Sequence, residues 1–408
     1  CCKVTGVQTC ALPIYFLRVM RYAALVVVVL SVAMAEVYFQ EKFDEGYQDR
    51  WVKPTGWKKP EEMGEWAWTA GKWYGDVNDK GIQTSQDARF YGYSAKMNNV
   101  FNNENKDLVL QFTTKYEQDI DCGGAYIKLL PSGLDQTKFG GDSEYAIMFG
   151  PDVCGSANKK THIILHYKNQ NLESTEKFRA VVDNLSHMYT LILHPDNTFQ
   201  YRIDGVEEAK GKLEDGWNFL APRTIPDPED KKPADWVDEA EIPDPEDKKP
   251  ADWDDEPAEI PDPAAKKPED WDDEDDGEWE APMIPNPEYK GEWAPKMIPN
   301  PAYKGEWAPK MIPNPDFVED TALYHVCKNC EYVGFELWQV KSGSIFDDII
   351  VTDSVEEAEA FAKETFFKKV DGEKKMYEEV REAEKKAQEE ELAAAGDAED
   401  EDIDDEEL

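Results

Sequence analysis

The sequence predicts a mostly β protein: a β-sandwich that is interrupted by an extended proline-rich hairpin arm and followed by a C-terminal helix and an acidic tail. Three observations carry this prediction. Short segments rich in aromatic and β-branched residues recur between turn residues, which favours a sandwich. Two different proline-rich repeats, each present three times, stand in the middle of the chain. Strand-like segments resume after the repeats, so the chain has to return to the sheet that it left.

The first 35 residues are not expected to belong to the mature fold. Residues 1–19 include VTGVQTCALPI, which reads as a translated sequencing-library adapter, and we exclude them. Residues 20–35 combine an arginine, a short apolar run and a small-x-small end, which is typical of a secretory signal peptide. The apolar run falls short of the roughly 20 residues that span a bilayer. We therefore expect no transmembrane segment in the mature chain.

The charge of the chain excludes one class of partner. The formal net charge is -42 at pH 7. Phosphate binding needs a basic surface, so we expect no nucleic-acid partner. The acidic residues are densest at the C-terminal end, which reads AEDEDIDDEEL. This run is either a solubilising tail or a low-affinity calcium buffer, because Ca²⁺ accepts loosely arranged carboxylates.

The first part of the sandwich is predicted over residues 36–224. Its strand-like segments are bounded by Gly, Asn, Asp or Pro. The six clearest segments are residues 108–116, 125–130, 145–149, 162–167, 189–194 and 199–204. Their regular spacing is typical of a sandwich, and about 200 to 250 residues is reasonable for one such domain.

The arm is predicted over residues 225–316. Three copies of a repeat that begins IPDP are followed by copies of MIPNPxYKGEWAPK, the third only begun. If the first set runs outward and the second returns, the last outward copy pairs with the first returning copy at the tip. Prolines prevent a continuous ladder, so we expect the arm to be held by contacts between tryptophans. These are Trp236, Trp253 and Trp271 on the outward side and Trp279, Trp293 and Trp307 on the return. A disordered linker is the alternative, against which the regular tryptophan spacing stands.

The sandwich is predicted to resume over residues 317–353, with YVGFELWQV and SIFDDIIV as strands. Residues 354–408 then predict the C-terminal helix and the acidic calcium-binding tail. Ser354 and Glu357 have the spacing of a capping box. An apolar stripe at helical spacing should pack on the sandwich, while the helix beyond Val370 should be exposed. The stripe consists of Val355, Ala358, Phe361, Ala362 and Phe366.

Four cysteines remain in the mature chain, which permits three pairings. Sequence proximity favours Cys122 with Cys154 and Cys327 with Cys330. The second pair has CxxC spacing, which is also found in redox motifs and in zinc sites. The chain shows neither a thioredoxin-like pattern around it nor a second CxxC. We favour a local structural clip.

Several aromatic and charged residues share the faces of predicted strands. Tyr126 and Lys128 are two residues apart, as are Glu336 and Trp338, and alternate residues of a strand point the same way. A bridge between the first two cysteines would bring residues 145–152 alongside them. Rings that stack on the C–H faces of a sugar, combined with charged groups that bond its hydroxyls, are typical of carbohydrate binding. The alternative is that these aromatic residues are ordinary sandwich core.

Two segments resemble the signatures of a known family. Residues 115–124, KYEQDIDCGG, and residues 147–155, IMFGPDVCG, resemble those of the calreticulin and calnexin family, and the proline-rich repeats resemble its arm. The resemblance covers essentially residues 37–369. No apolar span follows the arm, which resembles the soluble branch of the family.

The resemblance implies a legume-lectin-like jelly roll, and a non-enzymatic chaperone of the endoplasmic reticulum lumen that binds monoglucosylated high-mannose N-glycans on folding glycoproteins. The residues that match the glycan-binding motif are Tyr126, Lys128, Tyr145, Met148, Asp152, Glu336 and Trp338. Tyr145 and Met148 are three residues apart, so a strand end or a bulge is needed for both to face the ligand.

The same resemblance implies a calcium cofactor and a protein partner. A structural Ca²⁺ would be held mainly by Asp347, with backbone carbonyls near Lys42, Asn78 and Lys80. The arm tip would recruit a thioredoxin-like disulfide isomerase, and the tail would buffer lumenal calcium. We expect a monomer.

Some residues depart from the family pattern. Glu336 stands where the soluble members usually have Asp, Tyr116 and Ala125 replace His and Gly, and the CxxC pair is an addition. The sequence ends in DEEL, which is not an intact retrieval signal, so we expect possible leakage to the cell surface. Two other functions stay open: a calcium-storage protein without lectin activity, and a sandwich glycosidase that uses Asp152 and Glu336 as paired carboxylates.

Overall fold

The computed structural model describes residues 35–253, 256–268, 271 and 277–401, with side chains up to residue 391. The predicted adapter-derived segment, nearly all of the predicted signal peptide and the end of the acidic tail therefore lie outside the described residues. The chain divides into two compact units. The first is formed by the described residues before Pro222 and after Phe317, and the second is Pro222–Phe317.

The first unit contains two antiparallel sheets, whose strands are numbered along the chain. The eight-stranded sheet runs β15-β14-β13-β6-β23-β4-β3, with β1 paired to β23. Its strands are β1 (Val37–Glu41), β3 (Trp66–Thr69), β4 (Gly81–Thr84), β6 (Leu108–Tyr116), β13 (Ser186–Leu193), β14 (Thr198–Ile203), β15 (Val206–Lys212) and β23 (Ser344–Thr352).

The nine-stranded sheet runs β11-β10-β9-β7-β22-β5-β2, with β12 paired to β10 and β8 paired to both β9 and β22. Its strands are β2 (Trp51–Val52), β5 (Arg89–Phe101), β7 (Cys122–Gly124), β8 (Ile127–Pro131), β9 (Ile147–Cys154), β10 (Asn158–Tyr167), β11 (Gln170–Glu173), β12 (Phe178–Arg179) and β22 (Cys330–Gln339). Short 3-10 turns occur at Tyr47–Asp49, Pro60–Glu62 and Gln136–Lys138. The predicted mostly β sandwich is confirmed.

Aromatic side chains from both sheets form the core between them. Phe112 on β6 meets Phe149 on β9 edge to face, with ring centroids 5.9 Å apart. Phe346 on β23 lies 4.7 Å from Phe335 on β22. All four rings are fully buried. Strands β22 and β23 follow the arm in the chain, so the core is complete only when the chain has returned to the sandwich.

Two C-terminal helices cover the outer face of the eight-stranded sheet. They are α2 (Val355–Glu364) and α3 (Phe366–Glu401), whereas α1 (Leu213–Gly216) is a single turn after β15 whose Leu213 belongs to the main core cluster. Ser354 caps α2 by accepting a hydrogen bond from the Glu357 amide at 3.2 Å, as predicted. The predicted stripe packs on β6, β13 and β23, which explains why β6 and β23 are buried on both faces. One prediction is wrong: α3 is not exposed all round beyond Val370, because Glu373 is only 4 % exposed.

The second unit is the arm, and its repeats pair last with first, as predicted. Each pair is a two-stranded antiparallel sheet of three residues per strand, with isoleucines opposite each other at the centre. The pairs are β16 (Thr224–Pro226) with β21 (Met311–Pro313), β17 (Glu241–Pro243) with β20 (Met297–Pro299), and β18 (Glu259–Pro261) with β19 (Met283–Pro285). Proline at the end of every strand limits the ladder to this length.

Tryptophans of the arm bond to backbone, which corrects the predicted contacts between tryptophans. Each of the three outward tryptophans donates its indole N–H to a glycine carbonyl further along the arm, at 2.8 to 2.9 Å. The pairs are Trp236 with Gly305, Trp253 with Gly291 and Trp271 with Gly277. Gly291 has φ 77° and Gly305 has φ 87°, a left-handed backbone that other residues rarely adopt. The Tyr-Lys-Gly-Glu-Trp unit therefore needs its glycine to form this contact.

Candidate carbohydrate-binding site

The predicted glycan-binding residues lie on or beside adjacent strands of the nine-stranded sheet. Lys128 on β8 stands opposite Met148 on β9, and Gly124 on β7 stands opposite Asp152. Glu336 and Trp338 lie on β22, which pairs with β7 and β8 on their other side. The fold thus brings the predicted residues to one region of one sheet.

Two strand boundaries differ from the prediction, and both place site residues at strand ends. The predicted strand 125–130 is split, because β7 ends at Gly124 and β8 begins at Ile127, so Tyr126 lies between them. A Cβ at Gly124 would be 2.3 Å from the Tyr126 ring, so only glycine fits beneath it. The predicted strand 145–149 begins only at Ile147, so Tyr145 precedes it. Because Tyr145 lies before the strand begins, it is not bound by the alternation of the strand and can face the same side as Met148.

A disulfide closes one end of the region. Cys122 and Cys154 face each other across β7 and β9 and are bonded, as predicted. Cys327 and Cys330 are also bonded to each other, at the start of β22. Both sulfurs of this second pair belong to residues that are at most 1 % exposed, which fits a structural clip.

A buried ion pair lies at the centre of the region. The Lys128 ammonium donates to Glu336 Oε2 at 2.7 Å, and Lys128 is only 2 % exposed. The same ammonium lies 4.8 Å from the centroid of the Tyr145 ring. A buried charge is stable only when it is paired, so both side chains are held in one geometry. The pair presents a fixed cation and a fixed carboxylate beside an aromatic ring.

Tyr126 and Asp152 are positioned by a histidine that the sequence interpretation missed. Burial raises the pKa of Tyr126 well above its usual value, and the nearby Glu336 and Asp152 charges raise it further. Its phenol therefore keeps its proton. His162 Nε2 lies 3.3 Å from Asp152 Oδ2, while its Nδ1 lies 2.7 Å from Glu173. The imidazole also meets the Tyr126 ring edge to face at 6.2 Å. His162 lies on β10, which pairs with β9, and this pairing was the available signal that His162 could reach Asp152.

Trp338 is the most exposed of the predicted aromatic site residues. Its side chain is 38 % exposed, although it packs against Phe90 with ring centroids 4.6 Å apart. Tyr126, Tyr145 and Met148 are half-buried. These side chains are thus partly packed against neighbouring residues and partly exposed, an arrangement that suits stacking on a ligand.

The predicted calcium segments converge on β23. Glu41, the residue before Lys42, pairs with Ile349, and Ile82 pairs with Phe346, the residue before Asp347. The Asp347 carboxylate forms a cluster with two residues that the sequence interpretation missed, Asp79 and Asp348, with ligand atoms within 4.8 Å of one another. Asn78 and Lys80 flank Asp79 in the chain. The repeated aspartate in SIFDDIIV was the available signal for Asp348.

The fold and the site together define a lectin-like β-sandwich that carries a proline-rich arm. The family pattern described as Calreticulin family matches residues 39–276 and 275–351. The chain belongs to the calreticulin family. The protein is 57 % identical over 362 residues to calreticulin of Chlamydomonas reinhardtii, which covers 88 % of this chain and 86 % of that one. It is 53 % identical to calreticulin of Dictyostelium discoideum over 368 residues, with 90 % and 86 % covered.

A solved structure agrees with this assignment. The globular domain of Trypanosoma cruzi calreticulin superposes with a TM-score of 0.61 at 33 % identity, covering 85 % of this chain and 100 % of that one. Proteins of this family are calcium-binding lectin chaperones of the endoplasmic reticulum lumen that bind glycoprotein clients. Within the described residues, we find no helix that combines the length and the apolar character needed to cross a membrane.

Proposed function

We propose that the protein binds monoglucosylated high-mannose N-glycans on folding glycoproteins through the nine-stranded sheet. The buried Lys128–Glu336 pair carries this proposal, because it sets a cation and a carboxylate beside Tyr145 before any ligand arrives. A preorganised pair costs little ordering entropy on binding. Its lysine can donate to sugar hydroxyls and its carboxylate can accept from them.

Aromatic residues around the pair supply the apolar part of recognition. Trp338 offers an open ring face that can stack on the C–H face of a sugar. Tyr126 keeps its phenolic proton and can donate a hydrogen bond, and Asp152 can accept one. Met148, which stands opposite Lys128, adds a flexible apolar side chain. The identity of the sugar, a terminal glucose, rests on membership of the family.

Calcium is the cofactor that fits the second site. Asp347 is 6 % exposed, and its buried Oδ1 has no hydrogen-bond partner. An unsatisfied buried carboxylate oxygen beside two further carboxylates suits a hard cation with oxygen ligands. We propose that Asp347 holds a structural Ca²⁺ with the carbonyls of Lys42, Asn78 and Lys80. The bound ion would fix the loops that precede β4 and follow β1 against β23.

The remaining parts of the proposal rest on the family. The arm would recruit a thioredoxin-like disulfide isomerase at its tip, and the acidic tail would buffer lumenal calcium. We propose a monomer in the endoplasmic reticulum lumen.

Binding of a glucosylated glycan array by site variants tests the lectin function. Lys128→Ala and Trp338→Ala should each weaken binding about tenfold or more, because each removes a central contact. Lys96→Ala and Phe367→Ala are matched controls, since both side chains are exposed and lie outside the site. Calcium capacity should stay unchanged in all four variants. Binding that survives both site substitutions would contradict the lectin function and favour a calcium store.

A further inference from the structure

Three buried or half-buried carboxylates surround one lysine on the outer side of β23. Lys369 on α3 contacts Asp79 at 2.7 Å, Asp347 at 2.7 Å and Asp348 at 3.0 Å. The lysine side chain is 12 % exposed, and the two β23 aspartates are 8 % and 2 % exposed. The lysine ammonium thus occupies the centre of the carboxylate cluster.

The cluster holds less positive charge than it can accept. Three carboxylates face a single ammonium. Oδ1 of Asp347 and Oδ1 of Asp348 are buried and make no hydrogen bond among the described residues. The Lys369 ammonium donates to Oδ2 of Asp347 and pairs with Oδ2 of Asp79 and of Asp348, so its contacts are all to the other oxygen of each carboxylate. A divalent cation with six to eight oxygen ligands could use all of them.

The same contacts hold the first turns of α3 on the sheet. Glu373, one turn after Lys369, accepts hydrogen bonds from the amide and hydroxyl of Ser186 at 2.6 and 2.7 Å. Close backbone packing reinforces the contact, because a Cβ at Gly75 would lie 2.1 Å from the Lys369 carbonyl oxygen. Docking of α3 is therefore linked to the carboxylates that Lys369 neutralises.

We propose that Asp79, Asp347 and Asp348 form one cation site that Lys369 occupies in the absence of calcium, and that Ca²⁺ displaces the ammonium and loosens the first turns of α3. The inference rests on the calcium part of the proposed function and is independent of glycan binding. In this inference, Asp79 and Asp348 join Asp347 as carboxylate ligands of the ion, and Lys369 competes with the ion for them. Two cations cannot share these carboxylates without strong repulsion at such short distances.

Competition has two measurable consequences. Removing the ammonium should raise the calcium affinity of this site by about tenfold or more, since the ion no longer has to displace it. Calcium binding to the wild-type chain should increase amide hydrogen exchange in residues 366–377, because the lysine contacts are lost. The two effects are linked, so a variant without the ammonium should show the first and lose the second.

The experiment uses the full chain with Lys369→Met, Lys368→Met and Asp347→Asn variants. Lys368 is exposed and carries the same charge, so Lys368→Met controls for net charge. Calorimetric titration with Ca²⁺, and separately with Mg²⁺, in physiological salt separates this site from weak sites in the acidic tail. We expect Lys369→Met to bind Ca²⁺ about tenfold more tightly, Lys368→Met to stay within about twofold of wild type, and Asp347→Asn to lose the site. Mg²⁺, which sheds its water reluctantly, should bind more weakly than Ca²⁺.

Other outcomes overturn the inference. Equal calcium affinity of the Lys369→Met and Lys368→Met variants would show that the ammonium does not compete. Calcium that protects residues 366–377 of the wild-type chain from exchange would show that ion and lysine bind together. Because this exchange measurement uses the wild-type chain, it tests the competition between Ca²⁺ and Lys369 even if the Lys369→Met variant fails to fold. If Asp347→Asn leaves calcium binding unchanged, the proposed calcium site fails as well, which distinguishes that failure from loss of the competition alone.

Discussion

The sandwich and the arm use the same residue types in opposite ways. In the sandwich, rings such as Trp217 and Phe112 are buried in a continuous core to which both sheets contribute. In the arm, Trp236 is half-buried and is held by one hydrogen bond to Gly305 and by the Lys304 ammonium 5.7 Å above its ring. The sandwich should therefore unfold as one cooperative unit, whereas each repeat pair of the arm depends mainly on its neighbours.

The sequence order sharpens the contrast. The arm separates β15 from β22 in the chain, yet β22 and β23 lie inside the two sheets of the sandwich. Long-range pairing of this kind gives cooperativity. In the arm, each pair consists of two strands of only three residues, so the loss of one pair should leave the others intact.

Truncation of a core side chain should destabilise the sandwich most. Phe112→Ala removes a fully buried ring that contacts Phe149 and Tyr189. The free energy of unfolding should fall by about 3 to 5 kcal/mol, measured by urea denaturation. Tyr303→Ala in the arm is the control, because Tyr303 is 44 % exposed, and it should change the value by less than about 0.5 kcal/mol. A similar loss for both would contradict the division into a cooperative unit and a modular one.

Removal of the long-range disulfide should destabilise the sandwich next most. The Cys122→Ser, Cys154→Ser double variant opens a crosslink across 32 residues and should lose about 2 to 4 kcal/mol. The matched variant, Cys327→Ser with Cys330→Ser, opens a crosslink across only 3 residues and should lose less by chain entropy. Urea denaturation of both without reductant measures the difference. The reverse order would contradict the entropic argument.

A histidine of the sandwich should make its stability depend on pH. Burial acts to lower the pKa of His187, but hydrogen bonds to Asp183 and Asp204 outweigh it and raise this pKa to about 9. The stabilisation is therefore complete below the unfolded pKa of about 6.5 and is lost as pH rises through about 9. The loss should be on the order of 2 kcal/mol. Thermal unfolding from pH 6 to 10 should show this fall in the wild type and not in His187→Gln.

A tryptophan truncation in the arm should act only locally. Trp253→Ala removes the indole bond to Gly291 and should cost about 1 kcal/mol within the adjacent repeat pairs. Amide hydrogen exchange should rise in residues 241–243 and 283–293. Amide hydrogen exchange in residues 224–226 should not change, and neither should the urea midpoint of the sandwich. Exchange that rises along the whole arm would show that the repeats unfold together.

Much of this organisation could be predicted from the sequence, because it depends on local patterns. The repeat pairing follows from copy number and direction, and the cap of α2 follows from Ser354 and Glu357. The disulfide between Cys122 and Cys154 follows from proximity and from the family resemblance. The contacts between arm tryptophans were wrongly predicted, because a glycine carbonyl as acceptor leaves no signal in hydrophobic spacing.

The features that could not be predicted depend on contacts between distant segments. Lys369 lies in a charged helix, and nothing in its neighbourhood shows that it reaches Asp79 and Asp347. Spacing alone reveals neither the break between β7 and β8 at Tyr126 nor the close approach of the Tyr126 ring to Gly124. His162 contacts Asp152 because β9 and β10 pair, and the sequence alone does not give the register of these strands.

The central claim is that the nine-stranded sheet of the sandwich, and not the arm, holds a terminal glucose. Isothermal titration of the full chain with a monoglucosylated tetrasaccharide, and with the same saccharide lacking the glucose, tests it directly. We expect binding of the glucosylated sugar only, and a loss of about tenfold or more in Lys128→Ala. Equal binding of both sugars, or full binding by Lys128→Ala, would contradict the account.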